Sequence, residues 1–586
     1  MNLNDEVQRD RLFRAIEASY RELEPFRNLV RGLVDEYVCP GYGAQNKPRR
    51  EMLVSLMNQA VQAYTMTLAA NRPRVLVSTP VDELKYFAKH FQLAMNGLIK
   101  EIGLEQTIRK AVKDAFFCVG IVKVHMGDSA PVMLETDLWM DPGQPFASNV
   151  SLDNWVHDMG ATEFTQVSFA GDMYRVPFDD LKSDLYDQSV VKQLSPTTKW
   201  RFDEEERLDR ISRGVELDKD EFLPSIDLLD VWVPRERKIF TFALAHGRKF
   251  VGKHAPLAVM DSVRPKMGPY RWLSFDDVPE NIMPSSPASH LAGLHRLINN
   301  LTRKSSKQAR EQKDVYTYTP AGADAAKNIE RSSGNQWVEV HDKNDVGVMK
   351  IGGVDPTTQA FTLGMIQIFD RMAGNLSAQL GLGAQAPTLG QEQLIYGQVS
   401  RTEAFLQSRT IDFCNGLIMD LAELLWSDKA KVVPGELPIE GTPYSVDATW
   451  YPWDREGDLD DYDLQVDVYS MVYQSPSQRV QAINQLLKEI YIPLAPILAQ
   501  QGGTIDLRKL AEIHAELLNE PRLKDVLQFA QPMTGGETSG PGNTSREYIR
   551  RSVPTGGTMQ GRQHVQEQSW IDMAGQNTPQ ETAAMQ

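Results

Sequence analysis

The chain has 586 residues, 41% hydrophobic and 24% charged, which excludes a fibrous or wholly disordered polymer and allows roughly two to four domains with cores. With 62 basic against 78 acidic residues the net charge is −16. Such a balance argues against gripping nucleic acid over the whole surface but not against letting it slide past, because phosphate affinity comes mainly from Lys and Arg. Cys39, Cys118 and Cys414 are too few and too scattered for a disulfide framework or a CxxC metal site and are expected as buried free thiols.

In chain order, residues 4–37 carry Leu12, Ile16, Leu23 and Leu29 among charged neighbours, which predicts a helix. The opening "MNLNDEVQRDRLFRAIE" lacks a signal peptide's apolar core, and no run approaches the roughly 20 apolar residues of a membrane span. The expectation is a soluble chain made in a cytoplasm. A second helix is predicted over 49–70, ending where "NRPRVLVSTP" turns strand-like after Pro73. Two more follow, at about 82–101 and 104–116. From 117 to 280 short strands dominate ("CVGIVKVHM", "SIDLLDVWVP", "KIFTFALA"), interrupted by the acidic helical stretch "RFDEEERLDRI".

Helix resumes at 287, with His290, Leu291, Leu294, Ile298 and Leu301 read as one stripe and Arg303, Lys304, Lys307 and Arg310 clustered on adjoining faces beyond it. Residues 315–355 read as non-helical and strand-like, and 357–380 as helix through Phe361, Met365, Ile368, Phe369, Met372, Leu376 and Leu380. After the glycine-containing stretch "GLGAQAPTLGQEQ", one apolar periodicity runs over 391–427, a helix of roughly 55 Å and too long for a small core to cover. Strands are expected over 442–472, with Leu464, Val466 and Val468 alternating, and helix over 475–528. The segment from about 531 is too rich in Gly, Ser, Thr, Gln and Pro to offset the entropy of ordering.

The motifs that suggest catalysis do not assemble a site. "GLGAQA" resembles a dinucleotide fingerprint, but a helix and not a strand precedes Gly381, and Pro387 follows at once. "GRKFVGKH" puts His254 where a phosphate loop needs a Ser or Thr for magnesium, and a β-hairpin explains it. "DREGDLDDYD" puts Leu459 where a calcium loop needs glycine and reads as a solvated turn. His290 and His295 lack helical zinc spacing, and no G-x-S-x-G elbow occurs. No catalytic residue, cofactor or metal is therefore expected, and the chain is read as not an enzyme.

The order of elements carries more information than any motif. "NQAVQAYTMTLAANRPRVLVSTP" (58–80), "DVWVPRERKIFTF" (230–242), "SPASHLAGLHRLINNLTRKSSKQAREQK" (286–313, with Ile298 and Asn299) and "IYGQVSRTEAFLQSR" (395–409, with Thr402 and Glu403) occur in a sequence of elements that resembles the portal protein, or head-to-tail connector, of tailed bacteriophages. The resemblance covers about 1–530. It implies an α+β, mainly α protomer in a ring, usually of twelve copies, at one capsid vertex, with double-stranded DNA passing through its axis without sequence readout. On that mapping 1–285 is an N-terminal wing, 286–314 the first stem helix, 315–356 the clip, 357–380 the second stem helix and 381–393 a tunnel loop. Residues 394–472 are the long wing helix and strands, 473–530 the crown and 531–586 a flexible polar tail.

The resemblance further implies a virion location, assembly in the host bacterial cytoplasm, and as partners the terminase large subunit, the major capsid protein and tail adaptor proteins, with no membrane. Gly383, Gln385, Pro387, Thr388, Gly390 and Gln391 would form the tunnel loop facing DNA. Arg303, Lys304, Lys307 and Arg310 would line the channel, or else form a solvated helix face or inter-subunit salt bridges. Two other readings stand beside it: a virion structural or adaptor protein without a channel, which would lack a β insertion between the helices of 286–380, and a nucleotide-dependent DNA-processing enzyme.

Overall fold

A computed structural model describes residues 5–38, 54–69, 71–127, 132–135, 138–140, 143–183, 185–196, 224–244, 255–262, 268–334, 346–374, 389–428, 431–438 and 445–471, together with Trp337, Asp342, Asn344 and Leu376. The chain divides into two units, Met1–Gln474 and Ser475–Gln586. The second lies outside the described residues, as do the expected crown and polar tail. About 53% of the describable residues are helical and the rest include six sheets, so the fold is α+β.

Helices α1 (Glu6–Glu22) and α2 (Glu24–Tyr37) replace the single predicted N-terminal helix. Pro25 sits in the first turn of α2 and has no N–H to offer the carbonyl four residues back, so the run breaks at Leu23. Leu12, Ile16 and Leu23 are buried as expected, whereas Leu29 is exposed. Arg27 is fully buried on α2 instead: its guanidinium donates to the carbonyls of Tyr20, Leu152 and Trp155 at 2.6, 3.1 and 3.0 Å and so ties the helix to the strand region.

Helix α3 (Leu56–Ala69) is followed by strand β1 (Val75–Ser78), α4 (Lys85–Glu101) and α5 (Leu104–Phe117), close to the predicted bounds. Strands β2 (Gly120–Gly127), β3 (Val132–Glu135), β4 (Leu138–Met140), β5 (Gln144–Val150), β6 (Trp155–His157) and β7 (Ala170–Pro177) come next. A short α6 (Gln188–Val191) precedes β8 (Ser225–Val233), β9 (Lys238–Ala243), β10 (Ala258–Asp261) and β11 (Tyr270–Leu273). They form an antiparallel five-stranded sheet, β10-β9-β8-β7-β6, and a three-stranded one, β11-β2-β5. Every residue of β8 is buried. One face, with Leu229 and Val231, packs on Leu12, Phe13 and Ile16 of α1, while Trp232 on the other joins Ile121 and Tyr270 of the smaller sheet. The stretches 201–211 and 247–254 lie outside the described residues.

The second half continues with α7 (Pro287–Arg310), β12 (Lys313–Tyr318), α8 (Ala323–Arg331), β13 (Val346–Ile351), α9 (Pro356–Met372) and α10 (Leu389–Ser427). It ends with β14 (Glu436–Pro438), β15 (Ser445–Asp447), β16 (Asp463–Val466) and α11 (Val468–Met471). The 39 residues of α10 span about 58 Å. Phe413, Cys414, Leu417, Ile418, Leu421, Ala422 and Leu425 recur at three- and four-residue steps and enter the largest core, against α4, α5 and β2. An Arg271–Asp420 ion pair, with Nη2 2.6 Å from Oδ1, clamps the same part of α10 to β11. Strand β16 pairs with β1, so residues almost 400 positions apart close one ladder, from Val75↔Val466 to Ser78↔Asp463.

Several expectations are corrected. Residues 323–331 are helical within the stretch read as strand, because "ADAAKNIER" combines alanines with an Asp324–Lys327 pair at i,i+3, and Thr319 accepts the Gly322 N–H just before it. The run 357–380 is interrupted after Met372, where Gly374 adopts φ of +87°. Val468 begins α11 and does not extend β16. Cys118 and Cys414 are buried free thiols, and burial pushes the Cys118 thiol up to about 12; Cys39 lies outside the described residues.

Candidate functional site

Helix α7 starts with Ser286 as its cap, whose Oγ accepts the Ser289 N–H, and with Pro287 in the first turn, where a missing N–H costs nothing. Its buried seam is Ala288, Leu291, Ala292, His295, Ile298 and Asn299, packed with Phe369, Ala373 and Leu376. His290, read from sequence as part of the stripe, is exposed, and His295 takes the buried place. No residue of α7 after Asn299 is buried, so its last eleven residues extend past the shared core.

That extension carries Arg303, Lys304, Lys307 and Arg310. At 3.6 residues per turn they fall within an arc of about 120°, turned by about 120° from the buried seam. Arg303 Nη1 donates to Asn300 Oδ1 at 2.9 Å, and Lys307 Nζ lies 3.7 Å from Glu311, a loose pair between two exposed side chains. The structure thus brings the four predicted basic residues onto one face. Cations in the last turn also complement the helix dipole, so a solvated face explains part of the same arrangement.

Beyond α7, β12 and β13 pair antiparallel from Lys313↔Ile351 to Tyr318↔Val346. Every residue of β12 is exposed, and so are all of β13 except Val346. The alternation gives the ribbon two unlike faces: Val315, Met349 and Ile351 on one, Tyr316, Tyr318 and Val348 on the other, with Tyr316 at 72% and Ile351 at 50% exposure. Helix α9, returning antiparallel to α7, leaves Phe361, Leu363, Ile368 and Met372 exposed. A two-stranded ribbon with bare apolar faces is marginal in water, so these surfaces call for a partner.

Of the expected tunnel loop, Gly383, Gln385, Pro387 and Thr388 lie outside the described residues. Gly390 and Gln391 are not loop residues: α10 begins at Leu389 and holds both in its first turn, where the N–H groups have no intrahelical acceptor and glycine is tolerated. The acidic run 454–463 forms 3₁₀ turns in which Asp454 and Asp461 accept the N–H groups of Tyr451 and Asp458 at 2.8 and 2.9 Å. Among the described residues, no group of three or more His, Cys, Asp or Glu is arranged to hold a metal ion, and no helix is long and apolar enough to cross a membrane.

Two polar clusters escaped the sequence reading. At the base of α7, His295 Nδ1 lies 3.2 Å from Glu36 Oε2 and Nε2 3.2 Å from the Val54 carbonyl; Asn299 accepts the Val54 N–H and donates to its carbonyl, and Arg296 Nε donates to Glu36 at 2.8 Å. The hydrogen bonds from His295 and Arg296 outweigh burial and hold the Glu36 carboxyl below its ordinary pKa of 4.5. Its contribution to stability is therefore full above pH 4.5 and fades as pH falls through the lowered folded value. His295→Ala should make the acid limb of the stability curve shallower below pH 4.5, measured by urea unfolding at stepped pH; an unchanged limb would mean that Arg296 alone holds Glu36.

The second cluster lies between the two large sheets. Asp172 of β7, Asp230 of β8 and Thr241 of β9 are direct cross-strand partners, and Lys123 of β2 faces them beside its own partner Tyr270. Lys123 Nζ is 2.7 Å from Asp172 Oδ1 and 2.6 Å from Asp230 Oδ2. Tyr270 donates to Asp172 Oδ1 at 2.5 Å, and Tyr174 and Thr241 donate to Asp230 Oδ1 at 3.1 and 2.6 Å. Burial alone would lower the Lys123 pKa, but the two carboxylates more than reverse this and raise it.

Comparison with known protein families finds no family model that matches the chain, and comparison with curated proteins finds no match either.

Proposed function

We propose that the chain is the protomer of a portal ring at one capsid vertex, through which double-stranded DNA is packaged and later ejected. The observation that carries this reading is the β12–β13 ribbon, borne uncovered on the antiparallel pair α7 and α9 beyond the core. Its exposed aliphatic and tyrosine faces suit contacts with neighbouring copies and with docking proteins. The terminase large subunit and then tail adaptor proteins would dock there, and the major capsid protein would contact the outer part of the ring. A closed ring of heterologous contacts satisfies such surfaces without leaving an open edge. The basic arc of α7 would meet phosphates without reading bases, while the net charge of −16 keeps DNA from sticking. A virion adaptor without a channel is the reading that a missing β insertion would have favoured, and the ribbon fills that place.

Electron microscopy of the purified chain, viewed down the particle axis, tests the proposal. Rings with a central hole, of about twelve copies on the family pattern, are expected; a stable monomer or a ring without a hole overturns it. Val315→Asp combined with Met349→Lys should abolish the ring while leaving the far-UV circular dichroism unchanged, because both positions are exposed in the protomer and directly paired strand positions accommodate opposite charges.

A further inference from the structure

The cluster around Lys123 contains the parts of a self-catalysed cross-link, and we propose that Lys123 and Asp172 become joined by an amide bond, with Asp230 as the proton relay. One amine and two carboxyl groups meet within hydrogen-bond distance, and their side chains are only 10%, 8% and 5% exposed. Asp172 and Asp230 stand directly opposite each other on adjacent strands, where like charges repel. A single lysine must serve both carboxylates, so before any bond forms two like charges stand side by side in a buried site.

Condensation removes two of the three buried charges. Lys123 Nζ passes one proton to Asp172 across the 2.7 Å contact, giving a neutral amine and a neutral acid. The amine lone pair attacks Asp172 Cγ, forming the C–N bond as the carbonyl electron pair moves onto oxygen. The Tyr270 hydroxyl, 2.5 Å from Oδ1, is placed to hydrogen-bond the oxygen that has taken the proton and that leaves as water. Asp230 Oδ2, 2.6 Å from Nζ, takes a second proton from the nitrogen and returns it to the departing hydroxyl. The C–O bond breaks and one water leaves. Nothing is oxidised or reduced, and Asp230 ends as the carboxylate it was, still held by Tyr174 and Thr241.

Because Asp172 and Asp230 themselves raise the Lys123 pKa, the proton transfer to Asp172 runs uphill, and a slow reaction is expected. Holding the groups in place replaces an encounter in solution, and the low water content of the site disfavours hydrolysis of the product. The bond would staple the three-stranded sheet to the five-stranded one. It would do so without thiol chemistry, in a chain whose described cysteines are free and buried.

Mass spectrometry of the intact, folded full-length chain after prolonged incubation tests the proposal. The expected mass is that of the sequence less one water, and a digest should yield a branched peptide linking Lys123 to Asp172. Asp172→Ala and Asp230→Ala should each restore the full sequence mass. A wild-type chain that is folded by circular dichroism yet keeps its full mass overturns the proposal, as does a water loss without the branched peptide. The wild-type measurement decides even if a variant fails to fold.

Discussion

Replacing Lys123 with methionine should lower the stability of the chain by about 3–5 kcal/mol, the usual cost of leaving a buried charge without its partner. The substitution keeps the length of the side chain but strips Asp172 and Asp230, direct neighbours across β7 and β8, of their shared cation. Hydroxyl donors from Tyr270, Tyr174 and Thr241 remain and cannot balance two carboxylates. The measurement is the urea midpoint followed by near-UV circular dichroism, which reports the surrounding Trp and Tyr side chains. The triple variant Lys123→Met, Asp172→Asn, Asp230→Asn should recover most of the loss, because replacing a whole buried charged set is often close to neutral. A deficit that persists in the triple variant would be the share owed to the cross-link. A fall of less than about 1 kcal/mol for Lys123→Met would mean that water reaches the cluster and screens it.

Neutralising the basic arc should have the largest functional effect. Arg303, Lys304, Lys307 and Arg310 changed together to glutamine remove four positive charges per protomer from one face of α7. If each meets one phosphate, the slope of log K against log salt for duplex DNA should become shallower by about 0.9 for every phosphate no longer neutralised. Fluorescence anisotropy on the assembled full chain, at several salt concentrations and with two unrelated duplexes, gives the slope. The weakening should be equal for both duplexes, because phosphate contacts position DNA without specifying sequence. An unchanged slope would assign the four residues to a solvated helix face or to ion pairs such as Lys307 with Glu311.

Where apolar spacing is regular and long, the elements could be read directly. The stripe that buries Phe413, Leu417 and Leu421 repeats over enough turns to predict α10 almost to its ends, and β8 and β9 announce themselves by β-branched and aromatic runs. The four basic residues of α7 were likewise legible as one cluster, since spacing alone places side chains around a helix. The failures occurred where a neighbouring element decides. His290 and His295 fit a loose stripe about equally, and only the packing of α2, the Val54 segment and Phe369 against one side of α7 selects His295 for burial. Residues 323–331 are too short for periodicity to overrule the strands on either side, although their alanines and the Asp324–Lys327 pair carry a helical signal.

By itself the sequence determined most of the succession of the described elements, the solvated acidic turns of 454–463, the burial of Cys118 and Cys414 as free thiols and the basic face of α7. Each of these depends on residues within a few turns of one another, where backbone propensity and side-chain spacing are sufficient. The tertiary structure alone decided that Val75 pairs with Val466 and that the β12–β13 ribbon is left bare. It also decided that Lys123 meets Asp172 and Asp230, whose strands belong to a different sheet. Nothing local marks one lysine in a strand as buried: that outcome depends on which sheet face closes over it and on the register that sets two carboxylates opposite, and both are fixed by chain segments far away.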